Sequence, residues 1–195
     1  MPLRHLLLAF LLLASAATPA LALELPLWEE LTKTQKMLDA DRAFIEEIGR
    51  IHKGDLKTGA KFSVLQGWDM FEKGDMDVAI RRFNQAWLLD PENGEIYWGF
   101  AVATHVRGDG LEQTERWFAE AEKRLSTDPE LFNDHAVALE DHDQPARAKI
   151  SYEKALAIDP DNVSSHEGMA RVLKKLGDTS GAARHEAEAK RLKPE

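Results

Sequence analysis

No cysteine occurs among the 195 residues of this chain. Its absence excludes disulfide bonds, thiol catalysis and zinc sites that are built from thiolates. Long apolar runs are missing as well. The longest, Leu6–Ala14, has nine residues, whereas a helix that crosses the hydrocarbon core of a bilayer needs about 20.

The residue patterns of common catalytic centres are also absent. His166-Glu167 and His185-Glu186 each lack the second histidine, four residues on, that a helical zinc site requires. No glycine-rich phosphate loop follows a strand, and no serine nucleophile elbow occurs. The acidic turn Glu140–Asp143 lacks the spacing of a calcium loop. We therefore expect no enzyme activity, no metal and no cofactor. A metal-dependent enzyme that uses the acidic turn is the remote alternative.

Basic residues are fewer than acidic residues in this chain. The chain has 25 Lys and Arg against 34 Asp and Glu, which gives a net charge of −9. Nucleic acids and anionic membranes attract cationic proteins, so they are disfavoured as partners. A bias of this size is also common in soluble proteins that have no acidic function.

The first 22 residues have the features of a signal peptide. Arg4 lies in a short polar region, Leu6–Ala14 is the apolar core, and Ala20-Leu21-Ala22 matches a small-x-small cleavage site. We expect an exported protein, periplasmic or secreted, with no membrane span after cleavage. The alternative is an uncleaved anchor that leaves the remaining residues outside the membrane.

The most informative pattern that is present is a repeat of about 34 residues. Turn-forming pairs recur at this spacing, and a fixed period of this length is typical of stacked helical repeats. The pairs are Gly74-Asp75, Gly108-Asp109, His142-Asp143 and Gly177-Asp178. In such a turn, glycine can take the left-handed backbone that closes one helix and aspartate can cap the next.

Each repeat also carries a small–large–small pattern that predicts tight packing of two helices. Residues four and then three positions apart share one helix face, so the bulky residue projects between two notches. In the first helix of each unit, the close crossing is predicted at a small residue: Gly67, Ala101, Ala136 and Ala170. The second helices carry Ala79/Phe83/Ala86, Thr114/Phe118/Ala121, Ala148/Tyr152/Ala155 and Ala182/Glu186/Ala189.

These motifs resemble the tetratricopeptide repeat, a helix–turn–helix unit. The resemblance covers about residues 60–194 and implies an all-α solenoid of antiparallel helix pairs that winds into a right-handed superhelix. It predicts four units, with one residue inserted near Gly110. Their ranges are 60–93, 94–128, 129–162 and 163–195. Glu186 replaces the bulky aromatic residue in the last unit, which suits a terminal helix that needs a polar outer face.

Residues 23–59 do not fit the repeat. Their apolar residues suggest two helices with a break near Asp39–Asp41, and the region from Gly54 to Gly59 is predicted to link them to the first unit. We interpret this segment as an N-terminal helical cap, since end units of such arrays are usually atypical. Alternatively, its first helix lies in the groove of the array.

The resemblance implies a concave groove lined by the first helix of each unit. The groove is predicted to be aromatic and apolar at its N-terminal half, acidic in the middle and basic at its C-terminal end. The candidate binding residues are Val64, Trp68, Phe71, Trp98, Val102, His105, Asn133, Arg171, Lys174 and Lys175. Trp68 and Trp98 could equally be core residues that pack against the N-terminal helices. Since Val64 and Trp68 replace the polar residues of the family's carboxylate clamp, that type of clamp is not expected.

The predicted function is an exported interaction module or assembly factor of the cell envelope that binds a protein or peptide segment in this groove. The alternative with the same fold is a structural subunit of an envelope machine, such as one for secretion, pilus assembly or cytochrome maturation, that packs through its convex face.

Overall fold

The computed structural model describes residues 25–28 and 32–193, and within them the chain is helical. A 3₁₀ turn, Pro26–Trp28, comes first. Nine α-helices follow: α1 (Gln35–Ile51), α2 (Leu56–Glu72), α3 (Met76–Leu89), α4 (Gly94–Arg107), α5 (Leu111–Glu122), α6 (Pro129–Asp141), α7 (Pro145–Ile158), α8 (Val163–Lys175) and α9 (Thr179–Leu192). None of these helices is long and apolar enough to cross a membrane. The predicted signal peptide, residues 1–22, lies outside the described residues.

Helices α2 to α9 form four consecutive pairs. The most extensive packing in the described residues is between α2 and α3, α4 and α5, α6 and α7, and α8 and α9. Each pair also packs against the next one, as expected for units that bury a continuous core only by stacking. The all-α array of helix pairs predicted from the repeat is therefore confirmed.

The turns within the pairs show why the sequence repeats there. Gly74 and Gly177 take left-handed φ values of 79° and 84°, and Asp143, which replaces a glycine, takes 54°. The side chains of Asp75 and Asp178 cap α3 and α9, as predicted. The prediction for the second unit was wrong. The inserted residue makes Gly110 the N-terminal cap of α5, and the side chain of Asp109 instead accepts hydrogen bonds from Arg107.

The aromatic residue of the second helix packs against glycines of two first helices. A Cβ atom added to Gly67 would lie 2.5 Å from the ring of Phe83, and one added to Gly99 in the following unit would overlap the same ring. Tyr152 meets Gly168 of α8 in the same way. The small–large–small pattern therefore joins successive units as well as the two helices of one unit, because the aromatic side chain fills the place that a missing Cβ leaves open.

The N-terminal region differs from its prediction. Helix α1 continues through Asp39–Asp41 without a break, because both carboxylates are accommodated by polar partners. Asp39 accepts a hydrogen bond of 3.0 Å from Gln35, and Asp41 is 2.5 Å from Nζ of Lys33. Gly59 is not part of a linker, since α2 already begins at Leu56. It contacts Ile48 of α1 instead.

Two large clusters make up most of the buried core. One joins the first two units and includes Phe83, Phe100 and Trp117, with a few residues from α6. The other joins the last two units around Tyr152 and Met169. A smaller cluster holds α1 against the first pair.

Candidate partner-binding groove

The first helices of the four units, α2, α4, α6 and α8, contact one another and form one face of the array, which we call the inner face. The rings of Trp68 on α2 and Trp98 on α4 lie 5.3 Å apart at 71°. Farther along, Oγ of Ser165 on α8 donates a hydrogen bond of 3.1 Å to Oδ1 of Asn133 on α6. Helix α4 meets α6 in the same way, so the inner face runs through all four units.

An aromatic patch, Trp68, Phe71 and Trp98, covers the N-terminal half of the inner face. The ring of Trp68 contacts Phe71 at 5.8 Å and Phe83 of the core at 5.4 Å, both edge to face. All three residues of the patch are partly buried and pack on the core. The patch thus has one side in the core and one side exposed, so core packing and partner binding are compatible roles for these residues.

Three of the predicted groove residues do not line an open surface. Val64 and Val102 are buried in the core cluster of the first two units, and Asn133 is buried beside Ser165. The prediction failed here because a first helix contacts its neighbours on both sides as well as its own second helix. The stripe that remains open is therefore narrower than the repeat pattern suggested.

Most charged residues of the inner face pair across units. Nε of Arg171 lies 2.8 Å from Glu140, and His105 lies 3.1 Å from Asp141. Lys175 lies 3.6 Å from Asp143, whereas Lys174 contacts Glu186 on α9, the second helix of its own unit. The acidic middle and the basic end predicted from the sequence are thus adjacent and largely neutralise each other.

Asp134 belongs to this face and was missed by the sequence analysis. Its Oδ2 accepts a hydrogen bond of 3.0 Å from the indole of Trp98. Burial raises the pKa of this carboxyl to about 6, against the lowering effect of the hydrogen bonds from Trp98 and Asn133. Alignment of the repeats could have identified this residue. Asp134 aligns with Gly99 and Gly168, and both of these glycines pack against an aromatic ring.

The C-terminal end of the array has a shallow depression of about 330 Å³ between α8 and α9. It is the place where a further helix pair would stack. Charged residues and two alanines line it: Glu167, Ala170, Arg171, Glu186, Ala189, Lys190 and Lys193. Lys193 lies 2.5 Å from Glu167 across it.

Residues 25–28 and 32–193 contain no group of three or more acidic or histidine side chains placed to hold a metal ion. The acidic turn predicted as a remote candidate is held by other contacts. Asp141 pairs with His105, and Glu140 pairs with Arg171.

Comparison with known proteins supports the same architecture. No protein-family model matches the chain. A segment of 112 residues, 56% of the chain, is 26% identical to stress-induced-phosphoprotein 1 of Caenorhabditis elegans. The match spans about a third (34%) of the length of that protein.

Among solved structures, a crystal structure of MamA matches 78% of this chain and 86% of its own, with a TM-score of 0.62 and 16% identity. MamA from Desulfovibrio magneticus RS-1 matches 80% of this chain and 84% of its own, with a TM-score of 0.60 and 17% identity. MamA is built from tetratricopeptide repeats. The chain is therefore a helical-repeat protein with the tetratricopeptide fold.

Proposed function

We propose that this protein is an interaction module that holds a segment of a partner protein along its inner face. The observation that carries the proposal is the aromatic patch, Trp68, Phe71 and Trp98, whose three side chains are only partly buried. Val106, on the same helix as Trp98, is 57% exposed. Partly buried aromatic side chains on a rigid helical surface are the usual anchors of helix or peptide recognition. Export by residues 1–22 would place this activity in the cell envelope.

The partner segment is expected to be apolar where it meets the patch and to carry a hydrogen-bond donor or a cation near Asp134. The ion pairs Glu140–Arg171 and His105–Asp141 occupy the remaining inner face. Charges there would set the position of the partner segment along the face more than they would strengthen its binding. The specificity of the module would then reside in α2, α4 and the start of α6.

A second candidate keeps the fold and makes the protein a structural subunit that packs through its outer face. The observation that favours it is Ile150, which is 55% exposed on α7, a second helix. A single large apolar residue is weaker support than a patch, because isolated apolar side chains are common on protein surfaces.

One crosslinking experiment separates the two candidates. A photo-reactive amino acid is placed at Val106 on the inner face in one variant and at Ile150 on the outer face in another. Each is expressed in the native host, and the crosslinked proteins are identified. The proposal expects a specific adduct from position 106. An adduct from position 150 alone would favour the structural subunit.

A substitution tests the role of the patch. Trp68→Ala combined with Trp98→Ala should abolish the adduct formed at position 106 while helical content is kept. The matched control is Trp87→Ala. Trp87 is also a partly buried tryptophan on the same core cluster, but it lies on α3 outside the inner face. If the double variant still forms the adduct, the groove assignment is wrong.

A further inference from the structure

A short N-terminal segment, Leu25–Trp28, lies against α3, far from it in sequence. The side chain of Asn84 on α3 makes two hydrogen bonds with the backbone of this segment. Its Oδ1 accepts from the N–H of Leu27 at 2.6 Å, and its Nδ2 donates to the C=O of Leu25 at 2.9 Å. Pro26 is buried, and Leu27 packs against the core cluster of the first two units.

The repeat provides an internal comparison for Asn84. The residue after the bulky position of the second helix is Asn84, Ala119, Glu153 and Ala187 in the four units. Ala119, Glu153 and Ala187 are exposed, whereas Asn84 is fully buried. This position therefore faces outward in the array, and Asn84 is buried because the segment covers it.

The contact has the chemistry of peptide recognition. A carboxamide that accepts from one backbone N–H and donates to the C=O two residues earlier recognises main chain rather than particular side chains. The residue between the two is Pro26, which has no N–H that would be buried without a partner. Two apolar residues that flank a proline are therefore the segment type that fits this place.

The backbone of Leu27 indicates that the segment is held by the site. Leu27 has φ 52° and ψ 18°, a left-handed conformation that is unfavourable for a residue with a Cβ atom. Such conformations persist where surrounding contacts impose them, and they are frequent where a ligand is clamped. Here the hydrogen bonds to Asn84 are those contacts.

We propose that the face of α3 around Asn84 is a binding site for a short apolar–proline–apolar peptide segment, and that residues 25–28 occupy it as a tethered, exchangeable ligand. The site lies on a second helix and is separate from the inner face. A partner that presents such a segment displaces residues 25–28 and binds in their place. The occupant in this chain thus acts as an internal competitor.

The test uses the full chain with Leu27→Pro. This substitution removes the backbone N–H that donates to Oδ1 of Asn84, and proline cannot take the positive φ of Leu27. Residues 25–28 should therefore leave the site, while α3 itself is unchanged. The probe is a synthetic peptide with the sequence of residues 23–30, and the signal is the NMR resonance of the Asn84 side-chain amide. The control peptide carries the same Leu27→Pro change.

The proposal expects saturable binding of the probe to the Leu27→Pro chain, at least tenfold tighter than to the unsubstituted chain. The control peptide should not bind. In the chain with both Leu27→Pro and Asn84→Leu, binding should be lost, as read from the backbone resonances of α3. The site is refuted if the opened chain does not bind the probe, if binding survives Asn84→Leu, or if the unsubstituted chain binds equally well.

A second measurement needs no substitution. If residues 25–28 leave the site while the array stays folded, the amide hydrogen of Leu27 must exchange with solvent much faster than that of Phe83 in the core of α3, by a factor of 100 or more. Equal exchange rates would mean that the segment is released only by global unfolding, and the proposed exchange would then be excluded.

Discussion

The indole of Trp98 donates a hydrogen bond of 3.0 Å to Oδ2 of Asp134 and so connects the second unit to the third. The carboxyl is largely buried, and burial raises its pKa from 3.8 to about 6. An acid whose pKa is higher in the folded than in the unfolded state favours folding when it is protonated. Its contribution is complete below about pH 4 and is lost as the pH rises through 6.

We predict that Asp134→Asn raises the free energy of unfolding at pH 7 by roughly 1–3 kcal/mol, because the amide keeps an acceptor for the indole and carries no charge. The difference from the unsubstituted chain should disappear near pH 4. Urea denaturation at both pH values measures it. Asp69→Asn, at an exposed aspartate of α2, should change the unfolding free energy by less than about 0.5 kcal/mol. Parallel pH profiles for Asp134→Asn and the unsubstituted chain would contradict the prediction.

A second prediction concerns the glycines that receive aromatic rings. Gly99→Ala and Gly168→Ala would push a methyl group into the rings of Phe83 and Tyr152, and each should destabilise the fold by about 1–3 kcal/mol. The control is Gly49→Ala in α1, where the new Cβ would lie 3.7 Å from Leu56 in ordinary contact. It should stabilise the protein by about 0.5–1 kcal/mol. Chemical denaturation of the three variants measures their free energies of unfolding. Equal changes at all three positions would disprove the packing argument.

Arg107 provides a third prediction. Its guanidinium lies 2.7 Å from Asp77 on α3 and 2.6 Å from Asp109 in the turn after α4, with only 11% of the side chain exposed. Arg107→Lys loses the two-sided geometry and should cost roughly 1–2 kcal/mol of stability. Arg50→Lys is the control, because Arg50 is exposed in its pair with Glu47 and should change stability by less than about 0.5 kcal/mol. Similar losses in both variants would mean that the bridge between the first two units contributes nothing specific.

A fourth prediction follows from a histidine pair at the last unit. The Nδ1 atoms of His166 and His185 lie 2.8 Å apart, and Nε2 of His166 lies 2.9 Å from the C=O of Pro160. Burial, and next the nearby His166 and Arg184, lower the pKa of His185 below 6.5. A base whose pKa is lowered on folding contributes stability at pH values above its pKa in the unfolded state. This contribution is therefore lost as the pH falls below about 6.5.

We therefore expect the melting temperature to fall more between pH 7.5 and pH 5.5 in the unsubstituted chain than in His185→Gln. Asp134 acts in the opposite direction over part of this range, so the comparison is best made in an Asp134→Asn background. The prediction fails if His185→Gln leaves the pH dependence unchanged.

The repeat made most of the architecture predictable from sequence, because each unit packs mainly on its sequence neighbours. Phe83 and Tyr152 lie in the core as their spacing predicted. The misses have physical causes. One inserted residue moved the cap of α5 from Asp109 to Gly110. Asn84 has the pattern of a surface residue, and its partner lies 57 residues earlier in the chain, where no local periodicity could indicate it.

For the candidate groove, sequence alone placed the aromatic patch on first helices. It could not tell which residues of those helices are exposed and which are buried. Val102 shares a helix face with Trp98, yet it is buried in the core cluster of the first two units. The pairing of Glu140 with Arg171 depends on the stacking of two units. Contacts of this kind are set by tertiary geometry rather than by spacing along the chain.

The division of the core into two large clusters has a mechanical consequence. Helix α6 contributes buried residues to both clusters, and Leu111 of α5 also packs against the second one, so α5 and α6 form the joint where the array can yield. A chain pulled from its ends should extend in two steps, one for each half, rather than in one. A partner that grips the inner face across this joint would bind both halves and stiffen the protein, whereas one confined to the aromatic patch would leave the C-terminal half free to swing.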